Sequence, residues 1–127
     1  DLAVLTIDKE LPKPLPLANA KSGSVGVVLG YDVSGNLVVR PAGIVKKVLA
    51  TGGEPPDVLI EGRPSLELAV QVESGFSGGP VLDAHGSVVG VLFARSPDGS
   101  TAFAVQSAKV LEVLNRLVAT GSSGTPC

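Results

Sequence analysis

The chain has 127 residues, of which 44% are hydrophobic and 17% charged, with a formal net charge of -2. This composition indicates one folded domain and argues against a disordered chain. Because the lysines and arginines are few and scattered, we expect no nucleic-acid partner, and no apolar run reaches the roughly 18 residues of a membrane span.

The N-terminal part of the chain predicts one strand and one connector. Residues 1–7 are apolar and β-branched, as is typical of a strand. Residues 8–22 include the run Leu11-Pro12-Lys13-Pro14-Leu15-Pro16. Proline fixes φ and lacks an N–H donor, so this segment is predicted to be an extended connector rather than a helix or central strand.

Residues 23–106 show short apolar runs separated by turn signals, which predicts an antiparallel barrel. In the clearest strand, four apolar residues alternate with Glu67, Ala69, Gln71 and Glu73, which predicts one buried face; the four are Leu66, Leu68, Val70 and Val72. Residues 107–120 have apolar residues at helical spacing, with Ser107 as the expected N-cap. Residues 121–127 are predicted to be a flexible tail. The predicted fold is therefore all-β, an antiparallel sandwich or barrel, of which we favour one barrel with a C-terminal α-helix.

Ser77 lies in the run Gly75-Phe76-Ser77-Gly78-Gly79-Pro80, directly after the clearest strand. Glycines around a serine allow a tight loop that directs several N–H groups to one point. That geometry suits a nucleophile with an oxyanion hole, and no metal or other cofactor is needed for it. The pattern taken alone also fits a glycine-rich hairpin turn.

The order of these features resembles the trypsin-like serine proteases. Asp1-Leu2-Ala3-Val4-Leu5 is similar to the strand that carries their catalytic aspartate, and residues 75–80 are similar to their nucleophile loop. Residues 86–91 and 101–105 resemble the two strands that follow. Within that family the chain most resembles bacterial membrane-anchored periplasmic proteases of the MarP type. The resemblance implies that residues 1–7 end a first barrel that lies upstream and that residues 23–106 form the second, an antiparallel Greek-key β-barrel.

The resemblance also implies catalytic roles. Ser77 would be the nucleophile, Asp1 the acid that orients the histidine, and the N–H groups of Gly75 and Ser77 the oxyanion hole. The histidine of this family precedes the aspartate, and His85 is predicted to be a solvated turn residue. We therefore expect a serine endopeptidase as the parent protein and an inactive 127-residue chain.

Phe76 departs from the family pattern, which has Asp or Asn there. The phenylalanine either packs under the loop or signals a distorted oxyanion hole. The second case motivates an alternative function, a degenerate protease fold that binds or senses without hydrolysis.

The expected substrate is a peptide or protein. The resemblance places six residues around the primary pocket: Gln71, Phe93, Ala94, Arg95, Thr101 and Ala102. No acidic residue lies at its base, so small or apolar side chains are expected there rather than Lys or Arg.

The one cysteine, Cys127, is either a free thiol or half of a disulfide. In the MarP-type proteases a cysteine at this position bridges to the start of the protease domain, which favours a partner upstream of Asp1. The resemblance also implies a periplasmic or extracytoplasmic location, with the parent anchored through an upstream segment. An isolated barrel would expose its cleft face, so the missing barrel or a second copy is the expected protein partner.

Overall fold

The structure, a computed structural model, describes residues 2–50 and 62–120, with Ala50 described by its backbone only. The elements in chain order are β1 (Val25–Tyr31), β2 (Leu37–Ala50), β3 (Arg63–Ala69), β4 (Pro80–Asp83), β5 (Val88–Arg95), β6 (Thr101–Gln106) and α1 (Ser107–Thr120). The predicted tail and Cys127 lie outside the described residues, as does Asp1.

The six strands form a closed antiparallel barrel in the order β1-β2-β3-β6-β5-β4, with β1 paired to β4. The predicted barrel with a C-terminal helix is confirmed. Strands β3 and β4 follow each other in sequence, but they are not neighbours in the barrel. The chain between them, residues 70–79, therefore crosses the end of the barrel, and this crossing carries Ser77.

Alternating side chains fill the barrel. Leu66 and Leu68 are completely buried on β3, and the alternation continues beyond the strand because Val70 and Val72 are each 5% exposed. The inner face of the other strands is also apolar, with Val28, Ile44, Val81, Val89 and Ala104 in the same core. The predicted buried face is confirmed. The burial of Val70 and Val72 also anchors the start of the crossing segment at the end of the barrel.

Strand β2 is one strand of 14 residues, although Pro41 and Gly43 predicted a bend or an edge. Pro41 pairs with Val27 in the ladder, and the register shifts further along, between Ile44 and Lys46. An inserted bulge residue of this kind bends a strand without ending it, so one long strand can follow the curvature of the barrel.

Residues 2–7 were predicted to be a strand, but they pair with no strand among the described residues. Their expected ladder lies in the other barrel, and a strand needs a hydrogen-bonded neighbour. The connector lies along the start of β5, where the Val88 N–H donates to the Pro16 carbonyl at 2.8 Å. Its extended character agrees with its prolines.

The helix α1 packs on β5 and β6, and its first residue has a different role from the one predicted. Ser107 was expected to cap the helix, but its hydroxyl donates to the Val88 carbonyl at 2.6 Å. Ser107 is 3% exposed, and a buried hydroxyl takes the acceptor within reach. The contact ties the helix to the barrel. The described part of the chain contains no helix with the length and apolar character that crossing a bilayer requires.

Candidate active site

The nucleophile loop, residues 73–79, consists of two consecutive turns that share Phe76. The Phe76 N–H donates to the Glu73 carbonyl at 3.4 Å, and the Gly79 N–H donates to the Phe76 carbonyl at 2.9 Å. The third residue of each turn has a positive φ, 100° at Gly75 and 87° at Gly78. A residue with a β-carbon adopts that conformation only at a cost, so the two glycines permit the path of this loop.

The Phe76 side chain anchors the loop from inside the barrel. It is 1% exposed and belongs to the main core. Its ring lies against Gly30 of β1, where a β-carbon would come within 2.6 Å of two ring atoms. Of the two alternatives for Phe76, the structure therefore shows packing under the loop.

Ser77 lies on the outer side of the loop and is exposed. The residues that follow are fixed to β5, because the Gly78 N–H donates to the Leu92 carbonyl at 2.7 Å and the Leu92 N–H donates to the Gly79 carbonyl at 2.9 Å. Within residues 2–50 and 62–120, the N–H groups of Gly75 and Ser77 and the Ser77 hydroxyl have no hydrogen-bond partner. The loop thus holds a serine hydroxyl and two backbone donors on a fixed frame.

Among the described residues, Ser77 lines three clefts. One, of about 230 Å³, lies between residues 72–77 and the β5 residues Leu92, Ala94 and Arg95. A second, of about 370 Å³, is lined by Leu2, Ala3, Phe93 and Val105 besides Ser77. A third, of about 530 Å³, lies beside β1 and β2 and includes Leu29, Tyr31 and Leu37. A peptide that reached Ser77 would have room for side chains on more than one side.

The six residues expected around the primary pocket lie in several places. Ala94 and Arg95 line the 230 Å³ cleft, whereas Phe93 lines the cleft with Leu2 and Ala3. The register of β5 against β6 shifts between Leu92 and Ala94, and Phe93 lies at this irregularity. Of the remaining three, Ala102 is completely buried, Thr101 pairs with Ala69 in the ladder, and Gln71 is exposed.

Residues 72–74 also line the 230 Å³ cleft, although the sequence did not indicate them. Val72 is the last residue of the alternating apolar series, so the sequence predicted that it is buried. It did not predict that Val72 lines a cleft. Nothing in the sequence pairs Ser74 with Arg95. That contact joins residues that are distant along the chain.

One arginine lines this cleft, and a second pairs with a residue of its wall. The Arg95 Nη1 group donates to the Val72 carbonyl at 3.2 Å, and its Nη2 group donates to the Ser74 Oγ atom at 3.3 Å. Arg40 of β2 forms an ion pair with Glu73, with 2.9 Å between Nη2 and Oε1. The two side chains bind residues 72–74 from β2 and β5, two strands that are not neighbours in the barrel.

The turn that follows Arg95 is stabilised by a carboxylate. Asp98 Oδ1 accepts hydrogen bonds from the Ser96 hydroxyl at 2.6 Å and from the Ser100 N–H at 3.0 Å. The hydrogen bond from the Ser96 hydroxyl, followed by those from Ser100, lowers the pKa of Asp98 to about 2. The turn therefore holds its carboxylate ionised at any ordinary pH.

His85 lies in the exposed turn between β4 and β5, as predicted, and its N–H donates to Asp83 Oδ1 at 2.9 Å. It lines a small cleft with Asn19, Lys21 and Ser24 that does not include Ser77. The four residues of β4 separate this turn from the nucleophile loop, roughly 13 Å of extended chain. No cluster of metal-binding side chains occurs in the described parts of the chain.

Comparison with known proteins decides the family. A model of the trypsin-like peptidase domain matches residues 1–91. The chain belongs to the trypsin-like peptidase family. It is 36% identical to the serine protease Rv3671c of Mycobacterium tuberculosis over 98% of its own length, and the same holds for the serine protease MT3772 of another strain. The predicted resemblance to the MarP type is confirmed, since Rv3671c is that protease.

Solved structures agree with this trypsin-like assignment. The crystal structure of the active form of Rv3671c is 34% identical, with a TM-score of 0.73 over 91% of this chain and 52% of that chain. The HtrA-type protease AlgW with a tripeptide is 22% identical, with a TM-score of 0.73 over 91% of this chain and 39% of that chain, which shows a shared fold. The chain spans about a third of the curated relatives' length, 32%.

Proposed function

We propose that this chain is the nucleophile-bearing barrel of a serine endopeptidase. Ser77 would attack the peptide carbonyl, and the N–H groups of Gly75 and Ser77 would bind the oxyanion. The observation that carries the proposal is the double turn around buried Phe76, which presents Ser77 and these two donors together beside substrate-sized clefts.

Asp1 is proposed as the acid that orients the catalytic histidine. Its own position is outside the described residues, but Leu2 and Ala3, the next two residues, line a cleft together with Ser77. Consecutive Cα atoms are about 3.8 Å apart, so this proximity supports the role that the family resemblance gives to Asp1.

The general base is proposed to come from outside these 127 residues. The chain contains one histidine, and His85 lies at the opposite end of β4 from the nucleophile loop. A serine hydroxyl without a base is a weak nucleophile. The 127-residue chain alone is therefore expected to be inactive and the parent protein active.

A second barrel, or another copy of this chain, is the proposed neighbour of the β1–β2 surface. Six large apolar side chains are exposed on these two strands, namely Val25, Tyr31, Leu37, Val39, Val45 and Leu49. Large apolar patches are uncommon on monomers and mark contact surfaces. The location outside the cytoplasm, the membrane anchor and the disulfide of Cys127 stay predictions from the family resemblance.

The alternative of a degenerate binding module depended on a distorted loop at Phe76. The ring is buried in the core, while Ser77 remains exposed on the other side of the loop. Since this arrangement leaves the nucleophile accessible, the catalytic function has the better support.

Labelling with a fluorophosphonate probe tests the proposal. The parent protein should be labelled at Ser77, and the Ser77→Ala variant should not. The 127-residue chain should react slower by roughly 10⁴-fold or more, as is typical when a triad member is missing. The His85→Ala variant is the matched control and should react at the wild-type rate.

Each outcome bears on a different part of the proposal. An unreactive parent protein would refute the endopeptidase function. Rapid labelling of the 127-residue chain would show that it needs no external base, and loss of labelling in His85→Ala would show that His85 takes part after all.

A further inference from the structure

The 230 Å³ cleft beside Ser77 has a cationic wall whose charge is not matched by a carboxylate of its own. Arg95 donates to the Val72 carbonyl and the Ser74 hydroxyl, and both acceptors are neutral. Within residues 2–50 and 62–120, no carboxylate forms an ion pair with Arg95. The nearby Glu73 is already paired with Arg40. Of the two charged residues that line this cleft, Glu73 is paired with Arg40, whereas Arg95 has no carboxylate partner among the described residues.

The Arg95 guanidinium is also held in place. One hydrogen bond fixes each of its two terminal nitrogens, one to Val72 and the other to Ser74 of the nucleophile loop. A guanidinium has five N–H donors in a planar fork, so donors remain for a ligand after these two bonds. A fixed guanidinium loses little conformational entropy when it binds, and its geometry suits a carboxylate.

We propose that Arg95 makes this cleft select an acidic side chain, glutamate or aspartate, at the substrate residue whose carbonyl Ser77 attacks. This specificity rests on the proposed endopeptidase function, because it assigns the cleft to that substrate residue. The expectation of small or apolar side chains considered only the lack of an acidic residue. That expectation did not include the hydrogen bonds that hold the Arg95 guanidinium at the cleft, where it has no carboxylate partner among the described residues.

Two neighbouring features support the assignment. The other β5 residues of the cleft, Leu92 and Ala94, are apolar, so the carbon stem of a glutamate would contact apolar surface while its carboxylate reached Arg95. Asp98, on the turn after Arg95, accepts hydrogen bonds from Ser96 and Ser100, so its carboxylate is engaged within its own turn. Asp98, the acidic residue nearest to Arg95 in sequence, thus forms its hydrogen bonds within its own turn.

The test compares matched peptide substrates with the parent protein. Four peptides differ only at the residue before the scissile bond, which is Glu, Gln, Leu or Ala. The kcat/KM ratio of Glu over Gln is expected to be about tenfold or more, the size of a hydrogen-bonded charge interaction. Added salt should lower the ratio, because an exposed charge pair is screened.

Three variants identify the residue responsible. Arg95→Gln removes the charge and should bring the Glu-to-Gln ratio close to one, whereas Arg95→Lys keeps the charge and should retain part of the preference. Arg116→Gln is the matched control, since Arg116 lies on α1 in an ion pair with Glu112 far along the chain from the cleft. That control should keep the wild-type ratio.

A binding measurement separates this proposal from the proposed catalysis. Calorimetry on the Ser77→Ala parent protein would compare two product peptides that end in Glu or in Gln and share the same terminal carboxylate. Tighter binding of the Glu peptide, lost with Arg95→Gln in the same background, supports the specificity even if no peptide is hydrolysed.

Equal binding of the two product peptides would overturn the proposal, whether or not the protein is an active enzyme. A kcat/KM ratio of one in the wild-type protein would do the same. Preference for Ala over both Glu and Gln would show that Arg95 fills the cleft and acts as a steric barrier, which also contradicts acidic selection.

Discussion

The nucleophile loop and the hairpin turns both contain glycines with positive φ, but different groups stabilise them. An aspartate carboxylate stabilises each hairpin turn, and a buried aromatic ring stabilises the nucleophile loop. In the turns after β1 and β4, an aspartate carboxylate accepts the backbone N–H groups two and four residues on. Asp32 binds Ser34 and Asn36 in this way, and Asp83 binds His85 and Ser87. These contacts also lower the pKa of Asp32 and Asp83, mainly through the backbone N–H groups of Asn36 and Ser87 respectively.

The nucleophile loop has no such carboxylate. Its two turns are held by the backbone of Phe76 and by the burial of the Phe76 ring against Gly30. An aspartate that stabilises a turn does so by accepting backbone N–H groups, as Asp83 does. A buried aromatic side chain accepts none, so the N–H groups of Gly75 and Ser77 stay available for a substrate.

The largest expected effect comes from removing that ring. Phe76→Ala should lower the free energy of unfolding by about 3–5 kcal/mol, because it leaves a cavity in the core. It should also slow fluorophosphonate labelling of Ser77, since the two turns lose their shared anchor. Denaturant unfolding and labelling rates of the parent protein measure the two effects.

Two controls sharpen this prediction. Phe76→Leu leaves a smaller cavity than alanine does, so it should cost less stability than Phe76→Ala while labelling persists. Asp83→Ala loosens the turn after β4, but it should leave Ser77 labelling unchanged. If Phe76→Ala unfolded at wild-type denaturant concentration, the loop would not depend on an internal anchor.

A pair of glycine substitutions separates backbone strain from function. Gly78 in the nucleophile loop has φ 87° and Gly35 in the β1–β2 turn has φ 82°, and nothing lies within 4 Å of a β-carbon at either site. Alanine at either position should therefore cost a similar 1–2 kcal/mol, about the penalty of a left-handed residue with a β-carbon.

The two substitutions should differ in their effect on Ser77. Gly78→Ala is expected to slow labelling about tenfold or more, since a small displacement of a reacting group is costly. Gly35→Ala should label at the wild-type rate with the same loss of stability. Equal labelling rates would mean that the conformation of Gly78 does not position Ser77.

The sequence predicted the barrel because its strands carry a simple period. Leu66, Leu68, Val70 and Val72 alternate as a half-buried strand must, and the core contains all four. The glycines around Ser77 predicted a tight loop, again from the local sequence alone. Glycine adopts a positive φ at little cost, and Gly75 and Gly78 both have a positive φ in the structure.

Features that depend on contacts between distant residues could not be predicted. The sequence left two alternatives for Phe76 because its burial depends on the space beside Gly30 on β1. The family resemblance assigned Arg95 to a pocket wall. Its hydrogen bonds to Val72 and Ser74 could not be predicted, because they form only where β5 lies close to the crossing segment in the folded chain. Ser107 was expected to cap α1 for a local reason, and the proximity of Val88 gave it another partner.

The smallest expected effect concerns pH and the turn at Asp98. Because folding lowers the pKa of Asp98 from 3.8 to about 2, the ionised carboxylate is favoured by the folded state. Its contribution to stability is complete above the unfolded pKa and is lost as the pH falls through the folded value. Carboxyl NMR signals of Asp98 should show a midpoint near pH 2, and the amide signal of Ser100 should move with it.

The nucleophile loop should not follow that titration. The N–H groups of Gly78 and Gly79 donate to the main-chain carbonyls of Leu92 and Phe76, which do not ionise, so their amide signals should stay in place across the Asp98 midpoint. In Asp98→Asn, the shift of Ser100 near pH 2 should disappear. An Asp98 midpoint at or above 3.8 would contradict the hydrogen bonds to Ser96 and Ser100, and joint movement of Gly78 and Ser100 would show that the two kinds of turn respond to acid together.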